Sequence, residues 1–248
     1  MQIKERAIIL FHGYATDIND LIVLKEELKK RYNYVHLENL PGHGEESIKE
    51  FNAIDTMIYC RDVCKKVFAK YYYVDIIGFS MGGAIATYLA TQFNFNKIVL
   101  LAPANKYLNL RMGISRINIL VEYLASSKDS IKERGKITQE FDNVVENDKK
   151  ALDIAIKQLV PNYTIKSLTT FRTIIDYCNY HLDKKKIDTQ TLLIWGEMDQ
   201  IVPQKVIKYL SNYFTNMDVH ILKDISHLML HSSNYKEVSD IIYDFLDK

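Results

Sequence analysis

The chain has 248 residues, of which 48% are hydrophobic and 25% are charged. This length and composition are typical of one globular domain with a large core. Lysine and arginine number 32 against 31 acidic residues, so a net charge of +1 gives no overall attraction to nucleic acid or to an anionic membrane. No apolar stretch approaches the ~20 residues of a membrane span, and the N-terminus lacks a signal-peptide cleavage site. We expect a cytoplasmic protein with no stable membrane insertion and no nucleic-acid partner.

The three cysteines are Cys60, Cys64 and Cys178. An odd and low number argues against a disulfide framework. Cys60 and Cys64 are four residues apart, but no pair of histidines or cysteines nearby completes a zinc site. We therefore expect packing residues and no metal.

Short apolar runs alternate with helical patterns along most of the chain. Strands are predicted at 7–11, 34–37, 72–79, 97–102, 191–195 and 218–222, and helices at 18–30, 53–69, 81–91, 204–213 and 235–246. Strands that alternate with helices and are apolar on both faces indicate a parallel sheet covered on both sides. The predicted fold class is therefore α/β, with a mostly parallel open sheet of about six strands.

One segment interrupts this alternation. Residues from about 104 to 186 look helical throughout and contain no convincing strand. An insertion after the C-terminal end of a strand lies over the ligand edge of an open α/β sheet. We interpret it as a helical cap on a single domain whose core comprises residues 1–103 and 187–248. The alternative is a set of extra helices packed beside the sheet.

Residues 78–82 read G-F-S-M-G and lie between a predicted strand and a predicted helix. Such a strand–turn–helix setting is what a nucleophile elbow requires, because a sharp turn presents the serine to a base and a substrate at once. Glycines on either side remove clashes with neighbouring backbone. Ser80 is therefore the candidate nucleophile, and the backbone N–H of Met81 is a candidate oxyanion donor at the helix N-terminus. The alternative is a glycine-rich turn that only joins strand to helix.

A serine nucleophile needs a histidine base. In folds with this elbow, the serine comes first along the chain, the acid second and the histidine third. The histidines after Ser80 are His181, His220, His227 and His231. His227 lies in the loop between the last predicted strand and the last helix, at the edge of the sheet where Ser80 is expected. His227 is therefore the candidate base.

A histidine base in turn needs a carboxylate that fixes its tautomer and orientation. Asp199 follows the strand at 191–195 and precedes a helix, in a loop where chemistry is expected. Glu197 and Asp224 compete with it, and a helix-capping carboxylate is the structural alternative for Asp199.

The loop after the first strand, F-H-G-Y at 11–14, is expected to supply a second oxyanion donor. The backbone N–H of Tyr14 is the candidate. His12 precedes the other site residues in the chain and is interpreted as a hydrogen-bonded organiser of this loop.

Taken together, these segments resemble the α/β-hydrolase superfamily, and within it the branch of bacterial carboxylesterases, monoacylglycerol lipases and serine aminopeptidases. The resemblance rests on FHGYATD at 11–17, LPGHGE at 40–45, GFSMGG at 78–83, LLIWGEMDQIVP at 192–203 and DISH at 224–227. It implies Ser80, Asp199 and His227 as a catalytic triad and Tyr14 and Met81 as oxyanion donors. Members of this superfamily usually begin with an antiparallel hairpin, for which this chain has no room, so we expect about six parallel strands.

The leading functional hypothesis is a serine hydrolase that cleaves a small-molecule ester of small or medium acyl chain, without a metal or organic cofactor. Aromatic cap residues such as Phe171 and Tyr177 are candidates for lining an acyl pocket. A serine aminopeptidase or amidase is the second hypothesis and requires a carboxylate for the substrate amine, for which the cap offers Asp142, Glu146 and Asp176. A ligand-binding protein without turnover is the third, although such a protein would be expected to lack one triad member.

Overall fold

The computed structural model describes residues 6–45, 48–106, 165–199 and 201–248. In these ranges the strands are β1 (Arg6–Phe11), β2 (Tyr34–Leu37), β3 (Tyr73–Phe79), β4 (Lys97–Leu101), β5 (Gln190–Gly196) and β6 (Met217–Leu222). The α-helices are α1 (Ile22–Arg31), α2 (Ala53–Phe68), α3 (Met81–Leu89), α4 (Ile165–Leu182), α5 (Lys205–Leu210) and α6 (Tyr235–Asp247). Two 3-10 turns lie at Ile18–Asp20 and Ile48–Glu50.

The strands form one parallel sheet in the order β2-β1-β3-β4-β5-β6. The predicted α/β class is confirmed, because the described residues form a sheet of six parallel strands. β2 lies on one side of β1, and the strands from β3 to β6 lie on the other side. The loops after β1 and β3 therefore flank a topological switch point, where open α/β sheets bind their ligands.

Helices cover both faces of the sheet. Alternate residues of β1 pack on opposite faces. Ile9 and Phe11 belong to a hydrophobic cluster with α2 to α5. Ile8 and Leu10 belong to a second cluster with α1 and α6. Side chains alternate across a strand, so a run that is apolar at every position needs a covering layer on each face. This two-sided core fixes the strand ends that carry the site.

The first helix begins later than the periodicity predicts. The sequence favours a helix from residue 18, but residues 18–20 form a 3-10 turn and α1 begins at Ile22. The carboxylate of Asp17 accepts the backbone N–H of Asn19 at 2.8 Å, which caps the short turn instead of a longer helix. As a result, Asp20 ends a tight turn beside the β1 loop.

Helix α4 occupies the end of the segment interpreted as a cap. It packs against α3 and α2, and its residues Ile174, Ile175 and Cys178 are fully buried in the core. Residues 107–164 lie outside the described residues, so the boundaries and the role of the cap stay a prediction. Across the described part of the chain, no helix has the length and apolar character needed to cross a membrane.

Candidate active site

Ser80 lies in the turn between the end of β3 and the start of α3. Its backbone adopts φ 53° and ψ −112°, which is unusual for a residue with a side chain, and its N–H donates to the carbonyl oxygen of Leu101 at 2.9 Å. Backbone strain of this kind costs about 1–3 kcal/mol and clusters at functional sites. The turn observed at Ser80 is the strained strand-to-helix elbow that its sequence pattern predicts.

Close approach of backbone explains the two flanking glycines. A Cβ atom on Gly78 would lie 2.3 Å from the carbonyl oxygen of Gly82. A Cβ atom on Gly82 would lie 2.1 Å from the carbonyl oxygen of Phe11, the last residue of β1. Neither position accepts a side chain without a shift of the backbone, so the glycines allow α3 to begin directly against the end of β1.

Ser80, His227 and Asp199 form a continuous chain of hydrogen bonds. Nε2 of His227 lies 2.9 Å from Oγ of Ser80, and Nδ1 of His227 lies 2.8 Å from Oδ2 of Asp199. All three residues are buried, and the ring of His227 packs on that of Phe79 with centroids 5.0 Å apart. Because an ionised carboxylate only accepts hydrogen bonds, Nδ1 carries the proton and Nε2 is left to accept the proton of the serine hydroxyl.

Asp199 is held by the backbone around it. Its Oδ1 accepts the N–H groups of Ile201 and Val202, each at 2.8 Å, while Oδ2 faces His227. The carboxylate therefore caps the loop before α5 and orients the imidazole at the same time. Of the competing acids, Glu197 and Asp224 are both exposed.

The β1 loop is tied to the elbow through backbone. The N–H of Gly82 donates to the carbonyl oxygen of His12 at 3.1 Å. The ring of His12 donates from Nδ1 to the carbonyl oxygen of Gly13 at 2.8 Å and accepts the N–H of Leu40 on Nε2 at 2.9 Å. Burial lowers the pKa of His12 below its usual value, which suits a neutral ring with one donor and one acceptor. His12 thus organises the loop, as the sequence indicates.

The two candidate oxyanion donors lie on these two joined segments. Met81 is the first residue of α3, a position whose backbone N–H has no carbonyl partner within its own helix. Tyr14 lies in the β1 loop, two residues after the carbonyl that accepts the N–H of Gly82. The hydrogen bond from Gly82 to His12 therefore holds the β1 loop against the first turn of α3, directly after Ser80, where a helix N-terminus favours negative charge.

The side chain of Tyr14 is fixed by residues that sequence analysis did not connect with it. Its ring contacts those of Phe51 and Phe171, with centroid distances of 5.9 and 5.0 Å. Its hydroxyl lies 2.5 Å from Oγ of Ser167 on α4. No local pattern reveals these contacts, because Ser167 is 153 positions further along the chain.

The remaining candidate histidines have other partners. His220 contacts the carboxylate of Asp218 at 3.2 Å on β6, and His181 packs on the ring of Tyr177 at 4.5 Å. His231 faces a different carboxylate, that of Asp20, at 3.3 Å. Of the four histidines that follow Ser80 in the chain, the structure therefore brings His227 to the serine. Among the described residues, no group of three or more His, Cys, Asp and Glu side chains is arranged to hold a metal ion.

Curated proteins of similar sequence include an esterase and a lipase. A curated relative, the pimeloyl-[acyl-carrier protein] methyl ester esterase of Wigglesworthia glossinidia brevipalpis, is 28% identical over 89% of this chain and 86% of its own. Monoacylglycerol lipase ABHD6 of Bos taurus is 22% identical over 97% of this chain and 75% of its own.

Solved structures share the fold at low identity. An esterase from Exiguobacterium antarcticum superposes with a TM-score of 0.71 at 15% identity, covering 98% of this chain and 92% of its own. The monoacylglycerol lipase of Paleococcus ferrophilus does so with a TM-score of 0.70 at 16% identity, covering 97% and 93%. The family model described as serine aminopeptidase, S33, matches residues 2–234. The chain therefore belongs to the serine aminopeptidase S33 family of hydrolases, within the α/β-hydrolase superfamily.

Proposed function

We propose that this protein is a serine esterase that cleaves carboxylic esters of small or medium acyl chains through an acyl-enzyme on Ser80. The observation that carries the proposal is the hydrogen-bonded line from Asp199 through His227 to Ser80, with separations of 2.8 and 2.9 Å. These are the distances at which a base removes a proton from a nucleophile. The esterase and lipase activities named for the relatives at 28% and 22% identity support an ester as the substrate.

In the first half-reaction, Oγ of Ser80 attacks the ester carbonyl carbon while Nε2 of His227 takes the hydroxyl proton. The carbonyl oxygen becomes an oxyanion, which accepts the backbone N–H groups of Tyr14 and Met81. Asp199 stabilises the imidazolium that has formed. The intermediate then expels the alcohol, which takes the proton from Nε2 of His227, and the acyl group stays on Ser80.

Water completes the cycle by the same route in reverse. His227 removes a proton from water as its oxygen attacks the acyl carbon, and a second oxyanion forms at the same two N–H groups. When this intermediate collapses, Oγ of Ser80 leaves and recovers the proton from His227, and the carboxylic acid is released. This chemistry uses no metal or organic cofactor.

One partly exposed aromatic side chain beside the β1 loop, that of Phe171, is the candidate for the apolar part of a substrate site. Phe51 and Phe171 flank Tyr14, the proposed oxyanion residue. Phe171 comes from α4, so the region assigned to the cap contributes at least one ring near the loop. Phe51 is fully buried, so an acyl chain would pack against Phe171 and gain about 0.8 kcal/mol per buried CH₂.

A serine aminopeptidase is the second candidate because of the family description. That activity needs a carboxylate that faces Ser80 and binds the substrate amine. Asp176 is exposed on α4 and contacts Arg172 at 3.6 Å, which makes it a poor ligand for an amine in the site. Asp142 and Glu146 lie outside the described residues.

A substrate panel separates these functions. p-Nitrophenyl esters of increasing chain length and aminoacyl anilides would be assayed with the wild-type protein and with Ser80→Ala. We expect turnover of the esters and roughly 10⁵- to 10⁶-fold loss in Ser80→Ala, because nucleophile and base act as one unit. Ester turnover that survives the substitution would refute the mechanism, and a preference for anilides would favour the aminopeptidase. A fluorophosphonate probe that fails to label Ser80 would support a binding protein without turnover.

A further inference from the structure

A buried carboxylate lies beside the loop that carries Tyr14. Asp20 ends the 3-10 turn after β1, and its side chain is fully inaccessible. Its Oδ2 accepts the backbone N–H of Gly13 at 3.1 Å and the hydroxyl of Thr16. Both donors belong to the β1 loop, one on each side of Tyr14. A buried charge is tolerated only where such donors satisfy it, so this loop is built around Asp20.

The second oxygen of Asp20 reaches the loop of the proposed base. Nε2 of His231 lies 3.3 Å from Oδ1 of Asp20, although the two residues are 211 positions apart in the chain. His231 follows His227 by four residues, and its backbone N–H donates to the carbonyl oxygen of Leu228 at 2.9 Å. One carboxylate therefore joins the loop of the proposed oxyanion donor to the loop of the proposed base.

Peptide geometry connects this pair to the oxyanion. The N–H of Tyr14 and the C=O of Gly13 belong to one trans peptide, so they point in opposite directions. The C=O of Gly13 accepts a hydrogen bond from the ring of His12 at 2.8 Å. The N–H of Gly13, which is part of the preceding peptide, donates to Asp20. With both peptides fixed, the direction of the Tyr14 N–H is fixed as well.

We propose that Asp20 and His231 are a positioning pair for ester hydrolysis. The pair sets the orientation of the Tyr14 N–H and the distance between that N–H and His227. The inference rests on the proposed function of Ser80, His227 and Tyr14. Neither member of the pair acts on the substrate. Asp20 orients the oxyanion donor, and His231 anchors Asp20 to the loop of the base.

The pair should affect kcat and leave KM unchanged. The oxyanion exists only in the transition state and the intermediates. A misplaced donor therefore stabilises those states less, while the affinity for the ester substrate is unchanged. A displacement of about 1 Å from a change outside the reacting groups can cost roughly 10²-fold in rate. We therefore expect Asp20→Asn and His231→Leu each to lower kcat roughly 10- to 100-fold, with KM within about twofold of wild type.

A conservative variant separates positioning from packing. His231→Gln keeps an N–H donor close to the position of Nε2, and it should recover most of the kcat that His231→Leu loses. The double variant Asp20→Asn/His231→Leu should lose less than the product of the two single losses, because the residues act through one contact.

The chain offers a matched structural control. Asp75 is also fully buried and also accepts three hydrogen bonds, from Arg6 at 2.9 Å, Tyr32 at 2.6 Å and Asn96 at 2.9 Å. It lies on β3 near the opposite end of the strand from Ser80. Asp75→Asn should lower the thermal midpoint and leave the kcat of the folded protein unchanged.

The experiment compares kcat, KM and thermal midpoint for p-nitrophenyl ester hydrolysis in these variants and in Ser80→Ala. Abolished turnover in Ser80→Ala with reduced kcat in Asp20→Asn and His231→Leu supports the pair. Abolished turnover in Ser80→Ala with wild-type kcat in both variants, or with a rise in KM alone, overturns the positioning pair and leaves the proposed function intact. Turnover that survives Ser80→Ala overturns both.

Discussion

Oδ2 of Asp199 lies 2.8 Å from Nδ1 of His227, and the other oxygen of the same carboxylate is already occupied by two backbone N–H groups. An asparagine at this position would keep its oxygen on the backbone donors and turn its NH₂ group toward the imidazole. Nδ1 would then have to accept, and the proton would move to Nε2, where it blocks acceptance of the serine proton. We expect Asp199→Asn to lower kcat roughly 10⁴-fold with little change in folding.

Steady-state kinetics and a thermal melt would check this prediction. Glu197 is a matched control, because it is an exposed carboxylate two residues earlier in the same loop. Glu197→Gln should retain wild-type kcat. Equal losses of kcat in the two variants would mean that the contact between Asp199 and His227 does not contribute to turnover.

The elbow glycines lead to a prediction about stability. A Cβ atom on Gly82 would meet the backbone oxygen of Phe11 at 2.1 Å, whereas one on Gly13 would meet the ring of Phe79 at 3.1 Å. A ring can shift by a few tenths of an ångström, but the end of a central strand cannot. We expect Gly82→Ala to lower the free energy of unfolding by more than about 3 kcal/mol and Gly13→Ala by about 1 kcal/mol. Urea unfolding of both variants measures the difference, and equal losses would contradict the close backbone approach.

Stability should fall as the pH falls below neutrality, partly because of His43. Burial lowers the pKa of this histidine to about 3. Its Nδ1 donates to the carbonyl oxygen of Pro41 at 3.1 Å, and its Nε2 has no hydrogen-bond partner among the described residues. Between pH 3 and about 6.5 the unfolded chain therefore binds a proton at this position that the folded protein does not. The folded state is favoured above this window and loses that advantage as the pH decreases. The expected loss between pH 7 and pH 5 is about 2 kcal/mol for this one group.

Urea unfolding at both pH values, on wild type and on His43→Asn, tests the assignment. Asparagine keeps a donor for Pro41 and removes the titrating group, so the variant should be less stable at pH 7 but should lose less on acidification. If the stability of His43→Asn depends on pH as that of wild type does, His43 is not a source of the stability loss on acidification.

The contact between Tyr14 and Ser167 joins α4 to the β1 loop. A hydrogen bond of this kind contributes about 0.5–1.5 kcal/mol to stability. We expect Tyr14→Phe to keep the ring contacts with Phe51 and Phe171 and to keep the backbone N–H, so that kcat stays within about threefold of wild type. Combined with Ser167→Ala in a double-mutant cycle of unfolding, it should give a coupling energy of about 1 kcal/mol. A coupling energy of zero would mean that the two hydroxyls do not interact in solution.

Much of the fold could be predicted because its signals are local. The apolar runs that become β1, β3 and β4 are buried on both faces, and a strand of that kind is recognisable from a few consecutive residues. The elbow is local for the same reason, since the close approach that demands glycine arises within one turn around Ser80. The periodicity predicts a helix from residue 18, but α1 begins at Ile22, because the cap made by Asp17 competes with a weak helical pattern.

The sequence by itself determined the alternation of strands and helices, the elbow at Ser80 and the loops in which an acid and a base had to lie. Only the tertiary structure decided that Asp199 faces His227 while Glu197 and Asp224 are exposed, and that Asp20 meets His231. The physical reason is that hydrophobic periodicity and turn chemistry act between near neighbours, whereas these contacts join side chains that become close only when the strands assemble into one sheet. A hydrogen bond across 211 positions leaves no pattern in the chain from which it could be read.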